Sequence, residues 1–264
     1  VKKIHSCYNK IINMPKEIKF KNFIIKIAVE AGEILRKKFG KIRDIKFKDK
    51  FGDPVTEADY ASEIHIISAI RKKFPSHNIL SEEDGNHNRQ SDYLWIIDPL
   101  DGTSNFTMEI PFFCVSIAVA RANQILAGVI YNPIHNELFF AEKGDGAFLN
   151  NKKIVVSKVF KPMLSRVMMA WNGINAETLG VLKTFSDNGF VKARAIGSAA
   201  LGLAYVAAGR GDAYVSLGCK LWDVAAGVII ISEAGAKISD IFGKKWNFQS
   251  PTLVAANKIL HSKI

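Results

Sequence analysis

Two carboxylates, Asp98 and Asp101, stand three residues apart in the stretch Trp95-Ile96-Ile97-Asp98-Pro99-Leu100-Asp101-Gly102-Thr103-Ser104-Asn105-Phe106. The apolar run from Tyr93 to Ile97 reads as a short buried strand. It breaks at Asp98-Pro99, because proline disfavours helix in the residue before it and supplies no N–H. Gly102, Thr103 and Ser104 suit a helix start, and such an end attracts anions through its outward N–H groups and positive dipole. Hard anionic oxygens thus lie beside a seat for phosphate, which suggests metal-assisted phosphoryl chemistry. Taken alone, Asp-Pro and Asp-Gly are ordinary turn formers. Further acids in matching contexts shift the balance. Glu82 and Glu83 follow the short apolar segment Asn78-Ile79-Leu80, Asp223 opens the helix pattern Val224 to Ala234, and Asp53 stands ahead of Pro54-Val55-Thr56 and another helix.

These residues need elements to hold them. Phe20, Phe23, Ile24, Ile27, Ala31, Ile34 and Leu35 recur at helical spacing between Glu17 and Phe39, and Gly40 closes the run. Lys46–Lys50 reads as a short strand or loop. Thr56 and Asp59 predict a capping box, with Asp59 a capping acid, at the head of a helix reaching Phe74. Residues 84–92 read as a mobile polar loop. From Phe113 to Val156 the pattern turns to four or five antiparallel strands, with Ala122-Asn123 as a hairpin turn. Beyond it, strands near Val167–Trp171, Val191–Ala195, Asp212–Leu217, Lys237–Ile241 and Leu253–Ala256 alternate with helices near Ala176–Ser186, Ser198–Ala208 and Leu221–Ala234. Helices interleaved with strands, plus a meander, imply layered sheets and helices.

The chain resembles the inositol monophosphatase family of magnesium-dependent, lithium-sensitive phosphatases. The match lies in Gly52-Asp53-Pro54-Val55-Thr56-Glu57-Ala58-Asp59, in Ser81-Glu82-Glu83, in Trp95–Phe106, and in Leu221-Trp222-Asp223-Val224-Ala225 running into Ser232-Glu233-Ala234-Gly235. The resemblance implies an α+β fold, a five-layered α-β-α-β-α sandwich of the inositol monophosphatase and fructose-1,6-bisphosphatase type. Its halves, 1–160 and 161–264, would work as one unit. It further implies two to three Mg²⁺ ions. Glu82, Asp98 and the Leu100 carbonyl would hold one, and Asp98, Asp101 and Asp223 a second; Glu82 would help hold a third through water. Thr103 would orient the attacking water, Asp53 would take its proton through the Thr103 hydroxyl, and the N–H groups of Gly102 and Thr103 would grip the phosphate. Asp53 and Asp223 also have plainer readings, as a helix cap and a helix N-terminal acid. Arg194, Gly197, Ser198 and Ala199 match the segment that lines the inositol ring. Ser216 stands where the family typically has a glutamate that binds an inositol hydroxyl, a departure that bears on specificity. The implied activity is hydrolysis of inositol 1-phosphate, with histidinol phosphate, fructose 1,6-bisphosphate and 3′-phosphoadenosine 5′-phosphate as the substrates of related branches. The resemblance also implies a homodimer.

Composition narrows the rest. No apolar run approaches the roughly 18 residues of a membrane span. Three cysteines, irregularly spaced, argue against a disulfide framework or zinc site and for a reducing, cytoplasmic setting, and no secretory signal is visible. The net charge of +11 raises the rival of an RNA-associated binding protein that keeps the fold. Residues 1–50 hold 15 Lys and Arg against 5 Asp and Glu, so a solvated basic face on the first helix explains the excess without nucleic acid.

Overall fold

An apolar stripe at helical spacing opens the described chain. The computed structural model describes residues 20–42, 44–48, 53–171 and 173–264. Helix α1 (Lys21–Lys38) buries Ile24, Ile27, Ala28, Ala31 and Leu35, and places Arg36, Lys37 and Lys38 in its last turn, where positive charge suits the helix dipole. The predicted start at Glu17 lies outside the described residues. A two-residue pair, β1 (Lys46–Phe47) with β2 (Pro54–Val55), leads into α2 (Glu57–Lys73). The capping box forms as expected: the Thr56 hydroxyl accepts from the Ala58 N–H, and Asp59 accepts from the Thr56 N–H.

Eight strands follow as one sheet: β3 (Asn78–Ser81), β4 (Gly85–His87), β5 (Tyr93–Asp101), β6 (Cys114–Arg121), β7 (Gln124–Asn132), β8 (Glu137–Glu142), β9 (Gly146–Leu149) and β10 (Lys152–Ile154). Their spatial order is β10-β9-β8-β7-β6-β5-β3-β4. All neighbours are antiparallel except β3 and β5. Ala122 and Asn123 both take positive φ, as a two-residue hairpin turn requires. Two expectations change here. The segment read as a mobile loop contains β4, which pairs with β3. The strand read as ending at Ile97 runs on to Asp101, and it accommodates Pro99 by a register shift between Asp98 and Asp101.

A second sheet of five strands comprises β11 (Val167–Trp171), β12 (Ala193–Ala195), β13 (Ala213–Leu217), β14 (Lys237–Ser239) and β15 (Thr252–Ala256), in the order β12-β11-β13-β15-β14. The remaining helices are α3 (Thr103–Thr107), α4 (Ala176–Asp187), α5 (Ala199–Ala207), α6 (Leu221–Glu233) and α7 (Lys258–His261).

Side-chain alternation assigns the layers. Trp95 and Ile97 of β5 pack with α1 and α2, whereas Ile96 between them packs with α5 and α6 on the opposite face. In the second sheet Tyr214 faces α5 and α6, and its neighbours Ala213 and Val215 join Phe185 of α4 and Leu260 of α7 on the other side. The order is therefore α-β-α-β-α, the five-layered sandwich expected. The central pair α5/α6 is apolar nearly all round because both its faces are covered by sheet.

Close approach fixes where that central pair sits. A Cβ on Gly128 of β7 would lie 2.6 Å from Ile229 Cγ2, 2.9 Å from the Ala226 Cα and 3.0 Å from its carbonyl oxygen. Backbone atoms cannot give way as a flexible side chain does. Gly128→Ala is therefore expected to cost about 1–3 kcal/mol of stability. Chemical denaturation checks this, and a midpoint unchanged from wild type would contradict it. Among the described residues no helix is long and apolar enough to cross a membrane.

Candidate active site

Four acids reach one place from three segments. Glu82 follows the end of β3; Asp98 and Asp101 occupy the irregular end of β5, which runs parallel to β3, so both strands finish at the same edge. Asp223 sits in the first turn of α6. The electrostatics show their proximity. Burial raises the Asp98 carboxyl well above the ordinary range, and the charges of Glu82, Asp101 and Asp223 push it further. Asp223 is raised to about 7, chiefly by burial, with Asp101 and Glu82 adding to the shift while the Lys220 N–H opposes it. Asp98 is 2% and Asp101 7% exposed, so this repulsion is poorly screened by water.

Asp98 and Glu82 meet side chain to side chain, and each acid also has a donor of its own. Asp98 Oδ1 accepts from the Leu100 N–H at 3.0 Å. Asp223 Oδ2 accepts from the Lys220 N–H at 2.7 Å, and Glu82 Oε1 accepts from Lys48 Nζ at 2.8 Å. Asp101 accepts from the Ser198 hydroxyl, from the Ala199 and Ala200 N–H groups at 3.1 and 2.8 Å, and from the Cys114 thiol at 3.5 Å. Among the described residues no three acid, His or Cys side chains converge as a finished metal cage. The donor set still fits a hard divalent cation. It is all oxygen, and it gathers negative charge in one buried place, where burial first and the neighbouring carboxylates second raise Asp98 and Asp223.

Thr103 supplies the second component. Its hydroxyl lies 2.9 Å from Asp59 Oδ1 and 2.9 Å from the Leu100 carbonyl oxygen. The expected partner, Asp53, is corrected here: it is exposed at the head of β2, whereas Asp59, buried in the first turn of α2, meets Thr103. Helical geometry explains the difference. A capping acid turns its carboxylate back toward the helix start, and the β5 turn carrying Thr103 packs against that end. One oxygen of Asp59 satisfies the cap at Thr56 while the other is left for Thr103. Burial raises the Asp59 carboxyl, opposed by the bonds from Thr56 and Thr103.

Ser198 and Ala199, expected at the substrate, anchor Asp101. They are the N-cap and first residue of α5, and the carboxylate fills that helix's N-terminal donors. Gly197 lies beside the same turn: a Cβ on Gly102, whose φ is +95°, would come within 3.1 Å of the Gly197 carbonyl oxygen. Asn105 ties the two segments, donating to the carbonyls of Phe112 and Ile196 at 2.7 and 2.8 Å. Arg194 is exposed on the edge strand β12, and Ser216 is buried in β13.

Two participants escaped the sequence reading. Lys48 forms ion pairs with both Glu82 and Glu83. Glu83 is only 5% exposed at its side chain, and burial raises it to about 7 against the pull of Lys48. Glu63, 3% exposed in α2, accepts from the Ser81 hydroxyl and from the N–H groups of Glu83 and Asp84 at 3.2 and 3.1 Å, and so fixes the turn that carries Glu82. Lys48 is one of five bases between Lys41 and Lys50, and nothing in that run marks it out. Glu63 has a signal in principle: it falls one helical turn after Asp59, on the same face.

Comparison with known proteins agrees with this geometry. The model of the inositol monophosphatase family matches residues 17–264. An inositol-1-monophosphatase of Mesorhizobium japonicum is 38% identical, over 90% of this chain and 92% of its own. The Nus factor SuhB of Pasteurella multocida is 39% identical, over 89% and 90%. Among solved structures, the IMPase of Thermotoga maritima superposes with a TM-score of 0.85 at 35% identity, covering 93% of this chain and 95% of that one. The fold, the order of the motifs and the length of the match agree: the chain belongs to the inositol monophosphatase family.

Proposed function

We propose that this protein is a cytoplasmic, homodimeric, Mg²⁺-dependent phosphomonoesterase acting on a small phosphorylated polyol, with inositol 1-phosphate as its first substrate. The observation that carries the reading is the mutual elevation of buried carboxylates around Asp98, beside a threonine hydroxyl paired with a second buried acid. Glu82, Asp98, Asp101, Asp223 and the Leu100 carbonyl would hold the ions, with Glu82 and Asp98 turning from their present partners. Bound there, Mg²⁺ supplies an acidified water and charge stabilisation at the leaving oxygen.

The chain's own groups do the rest. The Thr103 hydroxyl has one proton and two acceptors, Asp59 and the Leu100 carbonyl. The Leu100 carbonyl is among the groups that would hold an ion, which would leave Asp59 as the acceptor of the Thr103 proton. The Thr103 lone pairs are then turned out to accept a proton from water, and Asp59 is the final acceptor. Its burial favours taking that proton. Gly102 and Thr103 N–H groups would face the phosphate, and Arg194 the alcohol.

Asp59→Asn is expected to lower kcat by about 10²–10⁴-fold, the range for loss of a positioned base, while Asp53→Asn stays within about twofold of wild type. Steady-state assay of both variants with Mg²⁺ and inositol 1-phosphate decides it; the reverse ranking would restore Asp53. Glu63→Gln weakens the charged acceptor behind the Glu82 turn. It is expected to raise the Mg²⁺ concentration for half-maximal activity about tenfold, within the range for residues that orient metal ligands. A Mg²⁺ titration equal to wild type would remove Glu63 from the site.

The SuhB name of the Pasteurella relative and the net charge of +11 favour a second reading, an association with RNA machinery. Binding of RNA that weakens steeply with salt, and is indifferent to Asp98→Asn, would support it.

A further inference from the structure

We propose that the end of the second sheet farthest from the acids docks on an anionic lipid surface. Met163 and Leu164 enter the headgroup boundary there, and the lysines around them meet the headgroups. Such docking needs no chemistry at the acid site.

Acidic residues are absent from two long stretches of the sequence. Between Gly146 and Ala176 there are five Lys and Arg and no Asp or Glu, and between Ile241 and Ile264 there are four Lys and no acid. The fold joins these stretches. Asn257 donates to the carbonyls of Ser157 and Val159 at 3.1 and 2.6 Å, and Lys263 Nζ lies 5.8 Å from the centre of the Phe160 ring. Helix α7 is only four residues long, about 6 Å, so Lys258 and Ile259 stand close to Lys263. Strand register shows which end of the sheet this is. Val167, Ala213 and Ala256 pair in one row, just after the 3₁₀ turn Pro162–Leu164 and just before α7. Trp171, Leu217 and Thr252 pair in the row at the other end, from which the chain runs on to Asp223. A partner seated beside α7 therefore leaves the acids open.

Two kinds of side chain stand out on this face. Lys158, Lys161, Lys258 and Lys263 are exposed, and none forms an ion pair among the described residues, whereas Arg166 is held by Asp212 at 3.0 Å. Phe160, Met163, Leu164 and Ile259 are exposed as well. Scattered singly, such apolar residues need no explanation; gathered on one small basic face, they mark a surface for contact. Lysines set among Phe, Met and Leu match a bilayer, whose acidic headgroups overlie hydrocarbon. The lysine stems lie along the interface while the apolar tips go below it. A nucleic acid would be met by open aromatic faces and by the planar fork of arginine. Here the Phe160 ring already carries Lys263, and Arg166 is committed to Asp212. A second copy of the chain would set lysines against lysines. The lipid surface is the partner that satisfies both the charge and the apolar tips.

The test sediments the full chain with vesicles of phosphatidylcholine alone and of phosphatidylcholine mixed with phosphatidylglycerol, at low ionic strength. Wild type is expected to sediment with the mixed vesicles only, and to be released as salt is raised. Lys161→Gln combined with Lys263→Gln is expected to weaken binding about 25-fold, about fivefold for each charge, and Leu164→Ser about tenfold. All three side chains are exposed, so the variants are expected to melt as wild type does, which separates lost binding from lost folding. Equal binding to neutral vesicles, no binding to mixed ones, or either variant binding as wild type does would overturn the inference. An unaffected lysine variant would move the contact to the basic residues near the start of the chain. RNA bound by wild type and lost in that variant, with no vesicle binding, would overturn it in favour of nucleic acid.

Discussion

Replacing Asp98 with asparagine is expected to abolish phosphatase turnover, by at least about 10³-fold or about 4 kcal/mol of transition-state stabilisation, and to raise the melting temperature of the metal-free protein. The two effects share one cause. Asp98 is buried, faces three other carboxylates, and is pushed up by all of them. An uncharged side chain of the same shape keeps an oxygen for the Leu100 N–H and relieves the repulsion. Each kcal/mol relieved is worth about 2–4 °C in a domain of this size. The same carboxylate is the one through which both ions would be shared, so its loss removes catalysis. Asp101→Asn makes the contrast. Its carboxylate already receives donors from Ser198, Ala199, Ala200 and Cys114, and an amide group turned toward them would clash with at least one. That variant is expected to lose both activity and stability. Thermal melts in chelator, run beside an assay in Mg²⁺, check the pair. An Asp98→Asn protein that melts lower than wild type, or that still turns over substrate, would defeat the argument.

The opposed behaviour of these two neighbours shows which part of the site is written in the sequence. Side-chain type and spacing along Trp95–Phe106 identify the acids, and hydrophobic periodicity places the end of α1, both ends of α2 and the span of the β6–β10 meander within a residue or two. Both are local properties. What each acid touches is not local. Asp53 and Asp59 stand six residues apart in one motif, and only the packing of the β5 turn against the head of α2 decides which meets Thr103. Ser198 and Ala199 lie about a hundred residues from Asp101, and their role as its anchor follows from two helices wedged between two sheets. The β5 extension past Pro99 is not legible locally, because proline ordinarily interrupts a strand. At the end of a strand it serves as an irregularity that turns Asp98 and Asp101 to the same site. Lys48 and Glu63 were hidden for the same reason as Asp59: their importance lies in partners from other elements.

Charge relief also sets the pH dependence of metal binding. In the metal-free protein Asp223 is raised to about 7 from an ordinary value of 3.8, and Asp98 and Asp101 are raised as well. A carboxyl raised on folding holds more protons folded than unfolded. Its contribution to stability is therefore full below about pH 4 and is lost as pH rises through about 7. Two buried histidines, His77 and His261, have folded values lowered by burial, so they favour folding above about pH 6.5 and oppose the trend below it. Measuring the shift in melting temperature on adding Mg²⁺, rather than the melting temperature itself, cancels them, since neither lies among the proposed ligands. Protons and Mg²⁺ compete for the same oxygens, so the shift is expected to be small at pH 5.5 and to grow through pH 7 to a plateau near pH 8. Mg²⁺ at 100 times its dissociation constant adds about 2.7 kcal/mol, which is the scale of the plateau. In Asp98→Asn the shift is expected to shrink at every pH. A shift that is absent at pH 8, or that does not change between pH 5.5 and 8, would mean that these carboxylates are not where the cation binds.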